Sequence, residues 1–131
     1  IFNPLARRKT GKMKSHKDLI VWQKSMLLVK RLYEVSQTFP QEELFGITSQ
    51  MRRAAVSIPS NIAEGYGRIY DKDTVRFLSI ALGSASELET QLLISGQLGY
   101  MSKPELDELL MLNTEIIRML AQLLKKIGSM G

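Results

Sequence analysis

The sequence has no cysteine and only one histidine, His16. Without cysteine it can form neither disulfide bonds nor thiolate metal sites, and this fits the reducing cytoplasm, where we expect the protein. Nucleophilic triads need a base, usually histidine, and di-iron bundles need Glu-x-x-His pairs on two helices. Neither arrangement is available, because His16 lies at or before the first predicted helix. We therefore predict no catalytic residues, no metal site and no cofactor.

Long apolar runs are also missing from the sequence. None approaches the roughly 20 residues that a helix needs to cross a bilayer, so we expect no membrane partner. The composition is that of a folded globular protein, with 44% apolar and 24% charged residues. A length of 131 residues suits one domain with a single core.

Acidic residues are absent from the first 17 positions, which hold six basic ones: Arg7, Arg8, Lys9, Lys12, Lys14 and Lys17. The remaining residues carry twelve basic and thirteen acidic side chains and are nearly neutral. We therefore divide the chain into a basic arm, residues 1–15, and a helical domain, residues 16–128. Such an arm can attract phosphate backbones. Two other interpretations stay open: basic tails often only raise solubility, and a native start at Met13 would make residues 1–12 upstream or non-native sequence.

Four helical patterns follow, separated by short breakers, and no alternation typical of β-strands persists. They predict helices at about 17–38, 44–64 and 71–98, and a fourth from Ser102, where Ser102 and Glu105 form a capping box. Pro59 inside the second pattern predicts either a bend or a break near Ser57 followed by a restart. Because helices with short connections pack as antiparallel neighbours, the predicted fold is an all-α, antiparallel up-down-up-down four-helix bundle.

More apolar residues face outward than one small bundle can hide. Ile20 and Leu27 lie on the far side of the first predicted helix, and Ile80 and Ile94 lie on the outer face of the third. Gly83, between the latter two, would let another backbone approach closely. Large exposed apolar patches usually mark interfaces, so we predict a homo-oligomer.

A polar stripe on the second predicted helix has two interpretations. Arg53, Ser57, Ser60 and Glu64 recur at i, i+4, i+7 and i+11, opposite the core stripe. The stripe is either a solvated face or a polar seam between subunits, in which arginine and glutamate of neighbouring chains pair. Glu89, near the core face of the third helix, either pairs with an arginine of the second helix or reaches water at the boundary.

Basic residues around the turn between the second and third helices suggest nucleic-acid binding. The cluster predicted to contact phosphates consists of Arg52, Arg53, Arg68, Lys72 and Arg76. Tyr66 and Tyr70 lie among them and could stack on bases. Nearby acidic residues dilute the charge, so the predicted patch is modest.

Three segments carry a family resemblance: HKDLIVWQKS at 16–25, MRRAAVSIPSNIAEG at 51–65 and SELET at 86–90. Through them the chain, from about Met13 to Lys126, resembles the bacterial four-helix bundle proteins encoded in intervening sequences of large-subunit ribosomal RNA. It is also similar to the accessory variability (Avd-like) protein of diversity-generating retroelements. The resemblance implies a homopentameric barrel of bundles with a basic surface that binds structured RNA or DNA. It also implies a reverse transcriptase as a partner where a retroelement is adjacent.

Together these observations predict a non-enzymatic homo-oligomer, a pentamer on the resemblance, that binds structured RNA or a nucleic-acid–protein complex through a basic surface. The alternative is a scaffold that binds only protein, through its apolar outer faces. An enzyme working through Glu64, Glu89 and arginines is a third hypothesis, but no residue spacing recommends it.

Overall fold

The structure, a computed structural model, describes residues 15–130 and the side chains of residues 15–128. Within this range it consists of four α-helices and no β-strand: α1 Ile20–Ser36, α2 Ile47–Gly65, α3 Asp71–Gln97 and α4 Lys103–Met130. Two single-turn 3-10 helices, His16–Asp18 and Gln41–Glu43, precede α1 and α2. The predicted all-α class with four helices is confirmed. The predicted arm falls almost entirely outside the described residues.

Each helix packs against two neighbours: α1 against α2 and α4, and α3 against the same two. Two ion pairs show the direction of α1 relative to α4, because Lys24 Nζ lies 2.7 Å from Glu115 and Arg31 Nη2 lies 2.8 Å from Glu108. Residue numbers rise along α1 while they fall along α4, so these helices are antiparallel. The short connections between successive helices give the same relation elsewhere, and the chain folds as the predicted up-down-up-down bundle.

The core consists of apolar side chains from all four helices. Its largest members are completely buried: Leu28, Leu32, Met51, Ile58, Ile62, Leu78, Leu88, Leu92, Leu109, Ile116 and Leu120. Their spacing turns one stripe of each helix inward. Burial of each such side chain contributes about 1.5–3 kcal/mol to the free energy of folding. This packing fixes the helix ends, and therefore the surface residues on them, relative to one another.

Both α1 and α2 begin later than predicted. The Ser15 hydroxyl and the Asp18 carboxylate cap the first 3-10 turn, and the extended Leu19 follows it, so α1 starts at Ile20 instead of residue 17. The second 3-10 turn likewise moves the start of α2 from residue 44 to Ile47. Each short helix ends after one turn, where the amide of Leu19 donates to the carbonyl oxygen of His16 and the amide of Leu44 donates to that of Gln41.

The second helix continues through Pro59 without interruption. The alternative of a break near Ser57 is therefore wrong. Proline removes one backbone hydrogen bond from a helix, because its nitrogen carries no hydrogen. Its ring is buried in the core here, and this burial offsets part of the loss.

The antiparallel arrangement places the start of α1, the end of α2, the start of α3 and the end of α4 at one end of the bundle. We call it the α2–α3 end, because the connection 66–70 lies there, and we call the opposite one the α1–α2 end. Ring contacts agree with this placement, since the centre of the His16 ring lies 5.2 Å from that of Trp22 and 6.1 Å from that of Tyr66. Gly67 adopts the left-handed φ of 72° that the turn uses.

Candidate nucleic-acid interface

The charged residues of the bundle separate along its long axis. When the bundle is divided across its middle, the half at the α2–α3 end comprises residues 15–28, 57–84 and 112–128. It holds eight basic residues and five acidic ones: Lys17, Lys24, Arg68, Lys72, Arg76, Arg118, Lys125 and Lys126 against Asp18, Glu64, Asp71, Asp73 and Glu115. The other half holds five basic residues and eight acidic ones: Lys30, Arg31, Arg52, Arg53 and Lys103 against Glu34, Glu42, Glu43, Glu87, Glu89, Glu105, Asp107 and Glu108.

The near neutrality of the helical domain therefore conceals a net +3 at one end and a net −3 at the other. Such a separation creates a positive potential over the α2–α3 end, where a polyanion would be attracted. The five basic residues that precede Ser15 in the sequence are joined covalently to this same end. Sequence analysis missed this division, because it depends on which helix ends lie side by side.

Only part of the predicted phosphate-contacting cluster lies together. Arg68, Lys72 and Arg76 are at the α2–α3 end, whereas Arg52 and Arg53 are in the second turn of α2. At 1.5 Å per residue they lie about 18 Å or more from the end of the helix. The prediction of one cluster is therefore wrong for Arg52 and Arg53, since the length of α2 carries them to the α1–α2 end.

Arg52 is engaged within the bundle. Its Nε donates a hydrogen bond to Ser36 Oγ at 3.0 Å, and its guanidinium carbon lies 4.5 Å from the centre of the Tyr33 ring. Both partners are on α1, near the end of that helix. Arg52 thus joins α2 to α1, and its half-buried side chain is not presented to a ligand as the sequence pattern implied.

Two arginines at the α2–α3 end share one aromatic ring. The guanidinium carbons of Arg68 and Arg76 each lie 4.6 Å from the centre of the Phe77 ring. Arg68 also donates from Nε to the carbonyl oxygen of Glu64 at 2.9 Å and forms an ion pair with the Glu64 carboxylate. Cation–π stacking and these bonds hold two positive charges close together, one turn from the exposed Lys72.

The two candidate stacking residues have different surroundings. Tyr70 is 65% exposed beside Lys72, as base stacking requires. Tyr66 is half-buried, packs against the core and contacts the His16 ring. Ile69, which sequence analysis did not single out, is 83% exposed next to Tyr70. The connection therefore presents one aromatic and one aliphatic side chain to solvent between the basic residues.

The apolar residues that were predicted to form an interface are solvent-exposed in the structure. Ile20, Leu27, Ile80 and Ile94 are each 40–58% exposed. A methyl group added at Gly83, on the same outer face of α3 as Ile80, would meet no atom within 4 Å. Sequence analysis missed further exposed apolar residues, chiefly Phe45, Met111 and Leu98.

The polar stripe of α2 divides between two environments. Glu64 pairs with Arg68 of its own chain, and Ser57 Oγ accepts hydrogen bonds from Ser84 Oγ at 2.8 Å and from Asn61 Nδ2 at 2.9 Å. Arg53 is exposed and lines a polar groove of about 420 Å³ between α2 and α3. A pair between Arg53 and Glu64 of neighbouring chains stays a prediction, and it would have to compete with the intrachain pair.

Glu89 lies half-buried on α3. Among residues 15–128 it forms no ion pair, so the predicted arginine partner on α2 is not found. Within the same range no group of three His, Asp or Glu side chains is placed to hold a metal ion. No helix of this part of the chain is long and apolar enough to cross a membrane.

Two groups with shifted pKa values, Glu108 and Tyr100, lie in the half of the bundle at the α1–α2 end. Arg31 donates to both carboxylate oxygens of Glu108, at 2.9 and 2.8 Å, and these bonds hold the pKa of Glu108 below its usual range. A hydrogen bond to Glu43 Oε2 at 2.8 Å raises the pKa of Tyr100. The first contact joins α1 to α4, and the second joins the connection after α3 to the 3-10 turn before α2. We infer that both contacts stabilise the fold.

Comparison with known proteins identifies a family and a similar solved structure. A family model described as 23S rRNA-intervening sequence protein matches residues 17–122. The fold is similar to the crystal structure of a Bacteroides thetaiotaomicron protein, described as a protein with unknown function from the S23 ribosomal protein family. That chain is 26% identical, the match covers 81% of this chain and 96% of that one, and the TM-score is 0.75. No curated protein matches the sequence.

Proposed function

Because the chain belongs to the family of 23S rRNA-intervening sequence proteins, we propose that it is a non-enzymatic homo-oligomer that binds structured RNA through its α2–α3 end. The observation that carries this proposal is the axial separation of charge, with a net +3 in the half that holds the exposed Tyr70. The family's description refers to ribosomal RNA, and this makes RNA the first polyanion to test.

Phosphate contacts would come from Arg68, Lys72 and Arg76. Lys72 and Arg76 are exposed, and Phe77 holds the Arg76 guanidinium in place. Arg68 would have to share its charge with Glu64, but an exposed ion pair contributes only about 0–1 kcal/mol, so a phosphate can compete. Tyr70 would stack on an unpaired base, which is worth about 1–3 kcal/mol.

An oligomer would present several copies of this binding surface. The exposed apolar residues on α1 and α3 support an oligomer, and the family resemblance favours a pentameric barrel. If five bundles stand side by side in the same orientation, all five α2–α3 ends lie on one rim. An RNA that touches several subunits would then bind by avidity, although each patch is modest. A reverse transcriptase partner stays a prediction that depends on an adjacent retroelement.

The salt dependence of RNA binding tests the proposal. We expect the logarithm of the binding constant for a structured RNA to fall linearly with the logarithm of salt concentration. The double variant Lys72→Glu/Arg76→Glu should weaken binding and lower the slope by about two, because two phosphate contacts are lost.

The matched control is Lys30→Glu/Lys103→Glu, which changes the net charge equally at exposed positions of the opposite half. It should leave the slope nearly unchanged. Affinity that stays flat between low and moderate salt, or equal losses in the two variants, would contradict RNA binding at the α2–α3 end.

A protein scaffold is the second candidate function. It is favoured by Phe45, which is 93% exposed in the connection between α1 and α2, at the end with net charge −3. An exposed aromatic ring among acidic residues suits a basic protein partner. A purified oligomer that is indifferent to RNA at every salt concentration would favour this function over the first.

A further inference from the structure

An apolar groove of about 490 Å³ lies between the start of α1 and the last turns of α4. Leu19 and Val21 line it from one side, and Met119 and Leu123 line it from the other. Leu19 and Val21 are buried, whereas Ile20, which also lines the groove, is 58% exposed. The volume falls within the range of small-molecule sites, about 300–1,000 Å³.

The lining of the groove is apolar and basic. Besides the aliphatic and thioether side chains, the lining from residues 15–128 consists of Gln122, Lys125 and Lys126, and within this range it includes no acidic or aromatic residue. Both lysines are exposed, and they belong to the half of the bundle with net charge +3. A base or a sugar would find few hydrogen-bonding partners here, and a cation would be repelled. An apolar chain with a negative head group would match both the walls and the charge.

We propose that this groove binds a free, single-chain amphiphilic anion of the fatty-acid class. The alkyl chain would lie between α1 and α4, against Val21 and Leu123, and the head group would lie beside Lys125 and Lys126. These lysines also interact favourably with the negative end of the α4 dipole, and the head group would interact with the same two ammonium groups. The inference does not rest on RNA binding, since it uses the groove and not the surface around Tyr70.

A homologous series of ligands tests the apolar part. The probes are octanoate, decanoate and dodecanoate below their micellar concentrations, added to the full chain and followed by heteronuclear NMR and calorimetry. We expect affinity to rise about two- to fourfold per added methylene, because each buried methylene contributes close to 0.8 kcal/mol. Shifts should centre on the backbone amides of Val21 and Leu123.

Ligands of different charge test the head-group part. Decanol should bind more weakly than decanoate, and decylammonium more weakly still. Lys125→Glu/Lys126→Glu should lower the affinity for decanoate about tenfold, while the affinity for decanol stays within about twofold. The control Lys30→Glu/Lys103→Glu makes the same change of net charge away from the groove and should leave both affinities unchanged.

Replacement of a wall residue provides an independent variant. Leu123→Asp should abolish binding, and Met111→Asp, an exposed position about three turns earlier on α4, should not. Since Leu123→Asp could also disturb folding, circular dichroism of both variants accompanies the measurement. If Leu123→Asp does not fold, Lys125→Glu/Lys126→Glu still tests the proposal, because both positions are exposed and the variant should fold.

Four results would overturn the proposal. Equal affinities for decanoate and decylammonium would exclude an anion site, and unchanged amide signals at the groove would exclude the groove. Binding that appears only after residues 1–14 are deleted would make that segment the occupant. Binding to vesicles of anionic phospholipid without binding of monomeric decanoate would replace a free ligand with a lipid surface.

Discussion

Two adjacent arginines have different roles, although they are equivalent in the sequence. Arg52 donates to Ser36 and stacks on Tyr33, whereas Arg53 is exposed at the polar groove between α2 and α3. A step of one residue turns a helix by about 100°, and this rotation alone directs one guanidinium toward α1 and the other toward solvent.

We expect Arg52→Ala to lower the free energy of unfolding by about 1–2 kcal/mol, because a half-buried hydrogen bond and a cation–π contact are lost. Arg53→Ala should change it by less than about 0.5 kcal/mol, as is usual for exposed positions. Urea denaturation of the two variants measures both values. Equal effects would mean that the contacts of Arg52 do not stabilise the fold.

A second prediction at the residue scale concerns pH. The bonds from Arg31 lower the pKa of Glu108 in the folded state, so their stabilisation is present above the unfolded pKa of about 4.3. It is lost as the pH falls through the lower folded value. Glu108→Gln should therefore be less stable than the parent near pH 7, and the difference should shrink toward pH 3.

Urea denaturation at several pH values measures this difference. Glu42→Gln is the control, since Glu42 is exposed and forms no ion pair with any residue from 15 to 128. It should leave the pH profile close to that of the parent. A difference between Glu108→Gln and the parent that stays constant down to pH 3 would show that the pair does not respond to protonation.

At the scale of elements, the outer faces of α1 and α3 present apolar residues that the monomer leaves uncovered. Leu27→Asp/Ile80→Asp should dissociate the proposed oligomer, because each aspartate would place a charge in an apolar contact. Light scattering after size-exclusion chromatography measures the mass. The control Lys30→Gln/Ser79→Asp makes the same change of net charge at exposed polar positions on the same helices and should keep the parental mass. An unchanged mass in the apolar variant would remove Leu27 and Ile80 from the interface.

Helix number, order and core faces could be predicted from the sequence, since the apolar period and the breakers act locally. The capping box at Ser102 and Glu105 is an example, because the Glu105 carboxylate accepts from the Ser102 amide at 3.0 Å as the motif predicts. The starts of α1 and α2 could not be predicted. Each depends on a single 3-10 turn, and its residues carry no signal distinct from that of a helix.

At the scale of the whole molecule, the candidate site could be predicted only in fragments. Lys72, Arg76 and Tyr70 were identified, because they are close in the sequence. The contribution of Lys125 and Lys126 was missed, since only the antiparallel packing of α4 brings them to the same end. The sum of charges along a sequence carries no information about its division in space.

This division leads to a prediction about the arm. Deletion of residues 1–14 removes five basic residues and no acidic ones. We expect RNA affinity at low salt to fall and the salt slope to decrease by as much as about four, because up to five phosphate contacts are lost. The number of subunits should stay the same, since the apolar faces of α1 and α3 remain. An unchanged slope would show that the arm does not contact RNA.

The position of the only tryptophan gives the protein an internal optical reporter. Trp22 is half-buried in the first turn of α1, next to Val21 of the groove wall and with its ring 5.2 Å from that of His16. Indole emission changes in wavelength and intensity when its surroundings change polarity. When the protein is excited at wavelengths that tyrosine does not absorb, its fluorescence therefore comes from the α2–α3 end alone, and a titration with RNA or with decanoate can be followed there without attaching a dye.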